Sequence, residues 1–496
     1  MTTGRATAAP ILLTGAIGAA AAWLLASPGL VVSREMTWDL LFNLAGAWHL
    51  YNGQVPHVDF HDPVGQLYFR LTQLGFWLCG PIAFAVVPGK IAAGAFVFVC
   101  AASAGVTRLP PVAAAVFILF ASLLALMPVN VGDGMTDFTF AMSYNTYGWA
   151  ALSVLSLLLF LPRQRQGNNW PDAILGALLM AALYYLKITY FAAALVELAA
   201  AFVLCRHVRS TAWLVAGAVV VLNAVAPYNW PYLADIRTAV QAGAAEVEPA
   251  HLRFLVRANA LELSLYLATT VVALILGLRG RAEARLPVAA ALLTALGFAL
   301  LVWNTQQRGL PLGMVALFLL YDALRPRWVS LVLLVFPFAL AVQASASVIA
   351  YHQTASRPTG LVIVERTNLR GLAVPDDGAI KRGEEISQRD YVKSILDAAT
   401  LLERATGGVV LLDQVNPMAF VLGVPPPRGA SLWLDLAFPW PSAEAMFAGT
   451  DHVLIPKSPT YAAVTRKAVE LYGPYMAERF PVRRASARWI VLDRAP

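Results

Sequence analysis

The residues of this 496-residue chain that could do chemistry are a few carboxylates and cations, found in polar stretches between long apolar runs. The first of them, Asp39, follows the first apolar run. A carboxylate can act as a general base by taking the proton of an attacking hydroxyl group. A carboxylate in the first turn of a helix is also stabilised by the helix dipole, so Asp39 could equally be a helix-start residue. The residues alone leave both interpretations open.

A second polar stretch carries two acids followed by an aromatic segment. Asp133 and Asp137 precede Tyr144 and Asn145. We interpret the two acids as candidates for contacting a substrate. Tyr144, Asn145 and Tyr147 are candidates for lining a sugar or lipid pocket. The alternative is an aromatic belt at the membrane surface next to ordinary turn residues.

Two cations interrupt apolar sequence near predicted helix ends. Lys187 lies in an apolar hairpin, where a charge is costly and usually has a partner. Arg308 is the only charged residue in the predicted turn 303–309. Each could bind a phosphate group, because both side chains pair with anions. The alternatives are snorkelling of Lys187 to the membrane surface and an interfacial anchor at Arg308.

Further residues are candidates for binding a substrate or its phosphate group. They lie in or near the first and third polar stretches: Asp59, His61, Asp62, Arg70, Glu246, Glu248 and Arg257. The acid-rich loops leave a divalent cation open as a ligand, but no ligand spacing requires one. The three cysteines, Cys79, Cys100 and Cys205, lie in apolar stretches and indicate small buried side chains rather than a metal site.

The composition predicts that these groups are positioned by helices in a membrane. Of all residues, 59% are hydrophobic and 13% are charged, whereas soluble proteins are usually about 45–50% apolar and about 25% charged. Residues 1–350 contain 33 charged residues, and the much shorter segment 351–496 contains 32. We therefore predict a polytopic α-helical membrane domain of about eleven spans in residues 1–350. Residues 351–496 are predicted to form a soluble α/β domain.

The elements within these two parts follow from periodicity. In residues 351–496, short β-type runs alternate with amphipathic segments, which is typical of an α/β domain. The predicted strands are 360–364, 409–413, 452–456 and 489–492, and the predicted helices are 389–405 and 461–479. In the first polar stretch, apolar residues recur with helical period over 38–50 and predict an amphipathic helix lying in the membrane surface. Residues 64–80 are predicted to form a juxtamembrane helix.

The charges also predict an orientation. Arginines cluster in short turns, which the positive-inside rule places in the cytoplasm together with the N-terminus. The outer loops 33–83, 129–146 and 228–257 contain most of the membrane part's acids and face the extracytoplasmic or periplasmic side with the C-terminal domain. We expect a multi-pass protein of a bacterial inner membrane. The net charge of +7 is then mostly an orientation signal, and we expect no nucleic-acid partner.

One segment of the first outer loop resembles a known class of enzymes. It reads Gly53-Gln54-Val55-Pro56-His57-Val58-Asp59-Phe60 and is followed by a helix beginning Gly65-Gln66-Leu67-Tyr68-Phe69. With an acid after the first span, this pattern resembles the GT-C class of membrane glycosyltransferases that use polyprenyl-phosphate sugars, such as the protein O-mannosyltransferases and the lipid A aminoarabinose transferases. The resemblance implies a GT-C-like fold for residues 1–350. It also implies that Asp39 is the catalytic carboxylate and that Asp133 or Asp137 is a further acid of the site.

The chain departs from this class at two positions. The class usually has Asp-Glu where this chain has Asp39-Leu40, so the second acid is missing. It often has a Lys where this chain has Asp62-Pro63-Val64, so phosphate binding must depend on other residues. Lys187-Ile188-Thr189 is similar to a Lys-x-Thr break that recurs in the class.

The resemblance implies an inverting glycosyltransferase with Asp39 as general base. It would move a sugar from a polyprenyl-phosphate carrier to a lipid, glycan or protein acceptor at the outer face of the membrane, and it would require no cofactor. Two other functions stay open. One is a transporter or flippase for a lipid-linked glycan, and the other is a non-catalytic envelope assembly protein.

Overall fold

A bundle of helices makes up most of the chain. The computed structural model describes residues 3–62, 64–164, 168–242, 247–280, 283–304, 306–321, 323–324, 327–381, 384–405 and 407–495. The helices of the first part are α1 (Thr3–Ala26), α2 (Thr37–Tyr51), α3 (Gln66–Cys79), α4 (Val86–Arg108), α5 (Pro111–Leu126), α6 (Ser143–Phe160), α7 (Trp170–Leu186), α8 (Ile188–Leu204), α9 (Thr211–Ala224), α10 (Trp230–Gln241), α11 (Pro249–Ala258), α12 (Ala260–Leu278), α13 (Arg285–Trp303), α14 (Pro311–Leu320), α15 (Arg327–Leu333) and α16 (Val335–Ser356).

Several of these helices are long and apolar enough to cross a membrane. Within the described residues five qualify: Ala8–Ala26, Ala83–Arg108, Ala260–Leu278, Arg285–Trp303 and Ser330–Ser356. Helices α9 and α10 qualify together as one span bent by 53°. Four shorter apolar helices are α5, α7, α8 and α14. The chain is therefore a mostly helical membrane protein, and the figure of about eleven spans stays a prediction.

Helices α4 and α6 run from one end of the bundle to the other. At one end, Lys90 Nζ donates a hydrogen bond to Ser143 Oγ over 3.2 Å. At the other end, Arg108 Nε donates to the carbonyl oxygen of Leu161 over 2.8 Å, and Arg108 pairs with Asp172. The turns predicted to face the cytoplasm thus meet at the Arg108 end. Loops of the predicted outer side meet at the Lys90 end.

The C-terminal region contains short strands and helices. The strands are β1 (Val31–Val32), β2 (Leu361–Ile363), β3 (Leu372–Pro375), β4 (Gly408–Leu411), β5 (Thr450–Pro456), β6 (Val482–Ala485) and β7 (Trp489–Asp493), and the helices are α17 (Gln388–Leu401), α18 (Met418–Leu422), α19 (Ala443–Met446) and α20 (Ala462–Arg479). One sheet has the order β4-β5-β7-β6, in which only β4 and β5 are parallel. The other has the order β1-β3-β2.

The small sheet joins the two parts of the chain. Strand β1 precedes α2 in the first outer loop, and it pairs in parallel with β3 of the C-terminal region through Val31 with Leu372 and Val32 with Ala373. A second link pairs the backbone of His61 with Ser431. The C-terminal region is therefore fastened to the outer loop on both sides of α2.

The prediction for α2 needs a correction. A helix forms where the periodicity predicts one, but it does not lie half exposed in the membrane surface, because every residue from Thr37 to Leu50 is buried. The C-terminal region covers the apolar face that was expected to lie on the membrane, with Trp433 packed against Trp38 and Phe42. Trp48 Nε1 donates to Val424 O over 2.8 Å, and Gln54 Nε2 donates to Pro426 O over 2.8 Å. A helix face covered by residues far along the chain gives no local signal.

The predicted elements of the C-terminal region are confirmed within a few residues. The predicted strands coincide with β2, β4, β5 and β7, and the predicted helices coincide with α17 and α20. Strand β6 was not predicted, because its four residues are all exposed and show no alternation of apolar and polar side chains. Helix α16 continues to Ser356, so the domain boundary predicted at residue 350 falls inside it. The boundary was placed too early because the last turns of this helix are polar.

Candidate functional site

Asp39 is a buried carboxylate in the first turn of α2. It is 1% exposed, and its Oδ1 has no hydrogen-bond partner among the described residues. Burial raises the pKa of Asp39 to about 7, although a hydrogen bond from the backbone N–H of Met142 and the charge of Lys187 both act to lower it. A carboxyl group with a pKa near neutrality can accept a proton and release it again.

An aromatic enclosure surrounds this carboxylate. Lys187 Nζ lies 4.7 Å from the centre of the Tyr144 ring, and Tyr144 packs edge-on against Tyr68 with ring centres 5.1 Å apart. Both tyrosines lie within electrostatic range of Asp39. Burial lowers the pKa of Lys187 to about 8, against the opposing effect of Asp39. A carboxylate and a cation thus share one buried cluster with Tyr68 and Tyr144, called the chamber below, in which charge interactions are strong.

Backbone strain is concentrated around this chamber. Among the described residues, the non-glycine residues with positive φ are Met36, His57, Met142 and Thr367. Met36 and Met142, both with φ of 50°, are the N-cap residues of α2 and α6. The N–H of Met142 points at Asp39. Such conformations cost about 1–3 kcal/mol and persist where the surrounding structure imposes them, often at functional sites.

A buried lysine and an apolar groove adjoin the chamber. Lys90 is 1% exposed, and its Nζ lies 5.1 Å from the centre of the Tyr147 ring. Tyr147 also lines a groove of about 280 Å³ between α3, α4, α6 and α7. The groove includes Leu67, Phe96 and Leu186, the last of which directly precedes Lys187. Two residues that line the groove therefore adjoin lysines, Tyr147 beside Lys90 in space and Leu186 before Lys187 in the chain.

A second cluster lies between the first outer loop and α10. Asp235 accepts hydrogen bonds from His57 Nδ1 and His61 Nδ1, each over 2.9 Å. Asp62 is buried beside them, and burial raises its pKa to about 7. The rings of His57 and Tyr232 are tilted by 37° to each other, with centres 4.6 Å apart. The predicted residues His61 and Asp62 thus belong to one cluster, which is built around Asp235.

A third cluster includes the two acids of the second outer loop. Lys381 Nζ, from the C-terminal region, lies 3.1 Å from Glu35 Oε1 and 3.3 Å from Asp137 Oδ1. Burial raises the pKa of Asp133 to about 6, with Glu35 and Asp137 acting in the same direction and Arg308 against it. The predicted residues Asp133, Asp137 and Arg308 therefore lie near one another. Asp137 is paired with Lys381, and Arg308 is exposed.

Two more predicted residues have partners away from Asp39. Asp59 Oδ2 accepts from the N–H of Val55 over 2.8 Å within its own loop, and its Oδ1 lies 3.5 Å from Arg428 of the C-terminal region. Arg70 donates to Gln73 over 2.9 Å within α3. Asp59 therefore links its loop to the C-terminal region, and Arg70 has a partner within its own helix.

The other predicted residues are more widely scattered. Asn145 is buried on α6, and Tyr190 donates to its backbone carbonyl over 3.2 Å. Glu248 caps α11, and Arg257 lies exposed on the same helix. Glu246 lies outside the described residues. Of the residues selected from the sequence, those that meet around the carboxylate are Asp39, Tyr144 and Lys187.

Sequence reasoning missed Tyr68 and Lys90 as residues of the site. Tyr68 lies in the helix interpreted as juxtamembrane, so it was not singled out. Tyr147, a predicted pocket residue, lies beside Lys90. Lys90 had a usable signal, because a lysine four residues into a 23-residue apolar helix requires a partner or a function. Within the described residues, no group of three or more His, Cys, Asp and Glu side chains is arranged to hold a metal ion. A role for a divalent cation stays open.

Comparisons with protein-family models, with curated proteins and with solved structures find no match to this chain.

Proposed function

We propose that the chain is a membrane glycosyltransferase that moves a sugar from a polyprenyl-phosphate carrier to a hydroxyl-bearing lipid, glycan or protein acceptor. The observation that carries the proposal is Asp39, a buried carboxylate near Lys187 with a pKa of about 7 and one oxygen that has no hydrogen-bond partner among the described residues. A general base works best when its pKa lies near the working pH. The proposed site faces the outer side of a bacterial inner membrane.

The reaction needs a base on one side of the sugar and cations on the other. Asp39 takes the proton of the acceptor hydroxyl while that oxygen forms a bond to the anomeric carbon. The bond from this carbon to the phosphate oxygen breaks, and its electron pair leaves with the phosphate. Lys187 and Lys90 stabilise the negative charge on the departing lipid phosphate. Attack opposite the leaving group inverts the anomeric centre.

The apolar groove supports a lipid-linked donor. Its volume of about 280 Å³ and its leucine, alanine and aromatic lining suit part of an isoprenoid chain. Leu186 and Tyr147 in its wall lie next to Lys187 and Lys90, respectively. A chain in the groove would therefore leave its phosphate beside the two lysines and its sugar near Asp39.

A direct assay tests this proposal. Purified protein in lipid nanodiscs is given polyprenyl-phosphate hexoses with a labelled sugar, together with membrane extract as a source of acceptors. We expect release of polyprenyl phosphate with transfer of the label. Replacing Lys90 with Met should raise the KM for the donor by about tenfold, because one charge contact to the phosphate is lost. No donor consumption by the wild-type protein with any sugar tested would contradict the proposal.

One observation favours a second function, a flippase for a lipid-linked glycan. Helices α9 and α10 form a broken span bent by 53°, and discontinuous helices are common in transporters. In proteoliposomes, a flippase would move a labelled lipid-linked sugar between leaflets without cleaving it. A glycosyltransferase would release the lipid phosphate instead, so one preparation distinguishes the two functions.

A further inference from the structure

The N-terminus of the helix that carries Asp39 is capped by side chains from the C-terminal region. The N–H of Met36 donates to Glu384 Oε1 over 2.9 Å. The N–H of Thr37 donates to Gln388 Oε1 over 2.8 Å. Gln388 Nε2 in turn donates to Glu384 Oε2, so the two capping side chains form one unit. These contacts join residues almost 350 positions apart in the chain.

Helix α2 depends on these contacts because its own sequence supplies little to its start. Its N-cap residue, Met36, makes no side-chain capping hydrogen bond among the described residues. The first N–H groups of a helix lack partners within the helix and need others. Met36 is also held in a left-handed conformation that a methionine rarely adopts. An acidic side chain at this end additionally complements the helix dipole.

The capping unit is itself rigidly supported. Gln388 is the first residue of α17, and the N-cap of that helix, Ser387, accepts a hydrogen bond from the N–H of Asp390. Glu384 and Gln388 are partly or fully buried. Gln388 is therefore held by a formed helix, and its hydrogen bond to Glu384 links the second cap to that helix.

We propose that Glu384 and Gln388 are positioning residues that hold Asp39 in its buried site, so that the C-terminal region is a structural part of the reaction chamber. The assignment of a catalytic role to Asp39 rests on the proposed function, but the positioning of its carboxylate does not. If the cap is lost, Met36 can leave its left-handed conformation, and the first turn of α2 can loosen. Asp39 would then move away from the N–H of Met142 and gain contact with water.

Labelling with a hydrophobic carbodiimide tests the positioning directly, because this reagent modifies protonated carboxyl groups in apolar surroundings. The fraction of Asp39 modified is measured by mass spectrometry of the peptide across a range of pH. In the wild-type protein we expect modification to fall as pH rises through about 7. In Glu384→Ala, hydration should lower the midpoint by about one pH unit.

A conservative substitution and a control complete the experiment. Glu384→Gln keeps an oxygen acceptor for Met36 N–H but turns an NH2 group toward Gln388 Nε2, so it should shift the labelling midpoint less than Glu384→Ala does. Glu403→Gln, on an exposed side chain of the same region, should leave it unchanged. Gln388→Ala, which removes one of the two caps, provides a second test if Glu384→Ala does not fold. A wild-type labelling profile in folded Glu384→Ala or Gln388→Ala would overturn the proposal.

The same variants distinguish this inference from the proposed function. In the transfer assay, Glu384→Ala should lower kcat by about tenfold or more, because the base is displaced from the acceptor. If the labelling midpoint shifts but Asp39→Asn retains transfer, the positioning is correct and the catalytic role is wrong. If Asp39→Asn abolishes transfer but the midpoint does not shift, the reverse holds.

Discussion

Asp39 and Lys187 change each other's protonation, and this coupling is the most specific property of the chamber at the scale of single residues. Burial raises the pKa of Asp39 to about 7 and lowers that of Lys187 to about 8. Each group opposes the shift of the other, because the charged forms attract. Between these values, Asp39 is ionised and can accept a proton, and Lys187 is charged and can bind a phosphate.

The pH dependence of transfer follows from these values. The rate should rise as pH increases through about 7, since Asp39 must lose its proton to act as a base. It should fall again above about 8, since Lys187 then loses its charge. A profile of kcat/KM against pH should therefore be bell-shaped. A rate that is flat across this range would contradict the assigned roles.

Replacing Lys187 with Met should shift the low-pH limb of the pH–rate profile. Lys187 lowers the pKa of Asp39, so its loss should shift the rise in rate to higher pH, by about half a unit or more. It should also weaken donor binding. The matched control is Lys467→Met, because Lys467 likewise lies over an aromatic ring, 4.8 Å from the centre of Trp440, but in the C-terminal region. That variant should keep the wild-type profile.

The chamber residues differ in how visible they are from sequence. Asp39 and Lys187 could be predicted because a charge beside or within an apolar run costs free energy and usually has a partner or a function. Tyr68 could not, because buried aromatic residues are usually packing residues and its position beside Asp39 depends on how α2 and α3 pack. Asp137 looked like a site acid, but its partner Lys381 lies 244 positions away and is invisible to local patterns.

At the scale of elements, local periodicity was enough to predict where helices form. It was not enough to predict what packs around them. Helix α2 forms where its pattern predicts it, yet the C-terminal region covers its apolar face and the helix is buried from Thr37 to Leu50. Strands β1 and β3 pair across more than 300 residues, and two to four residues are too few to show a period. Long-range pairing is therefore the main part of this fold that sequence reasoning could not reach.

The crossing of α3 with the segment before α4 also positions the chamber and the groove. A Cβ atom on Gly75 would collide with the carbonyl oxygen of Ala85. Gly75→Ala should therefore push α3 away and lower the free energy of unfolding by about 1–3 kcal/mol. Thermal unfolding in detergent would measure this change. The control is Gly18→Ala, because a Cβ there meets no described heavy atom within 4 Å, and an unchanged melting temperature in Gly75→Ala would contradict the crossing.

At the scale of the whole molecule, the bundle has two different ends, which α4 and α6 connect. One end is rich in arginine, and the other carries the chamber and the C-terminal region. Arg108 and Arg163 both pair with Asp172 at the first end. Lys381 of the C-terminal region pairs with Glu35 at the other. This separation agrees with an arrangement in which arginines face the cytoplasm and the chamber opens outward.

Cysteine labelling tests the orientation. Glu403→Cys places a thiol on an exposed position of the C-terminal region, and Arg279→Cys places one at the exposed end of α12. In intact spheroplasts, a membrane-impermeant maleimide should label the first without permeabilisation and the second only after it. The reverse pattern would mean that the chamber faces the cytoplasm.

Sugar transfer by the Asp39→Asn variant tests the central claim most directly. The substitution keeps the size of the side chain but removes the base, so the rate from labelled polyprenyl-phosphate sugar should fall by about a hundredfold or more. Asp377→Asn, at an exposed position, is the matched control and should keep the wild-type rate. Donor binding should survive in both variants, since the lysines are intact. A folded Asp39→Asn protein that transfers sugar at the wild-type rate would contradict the account.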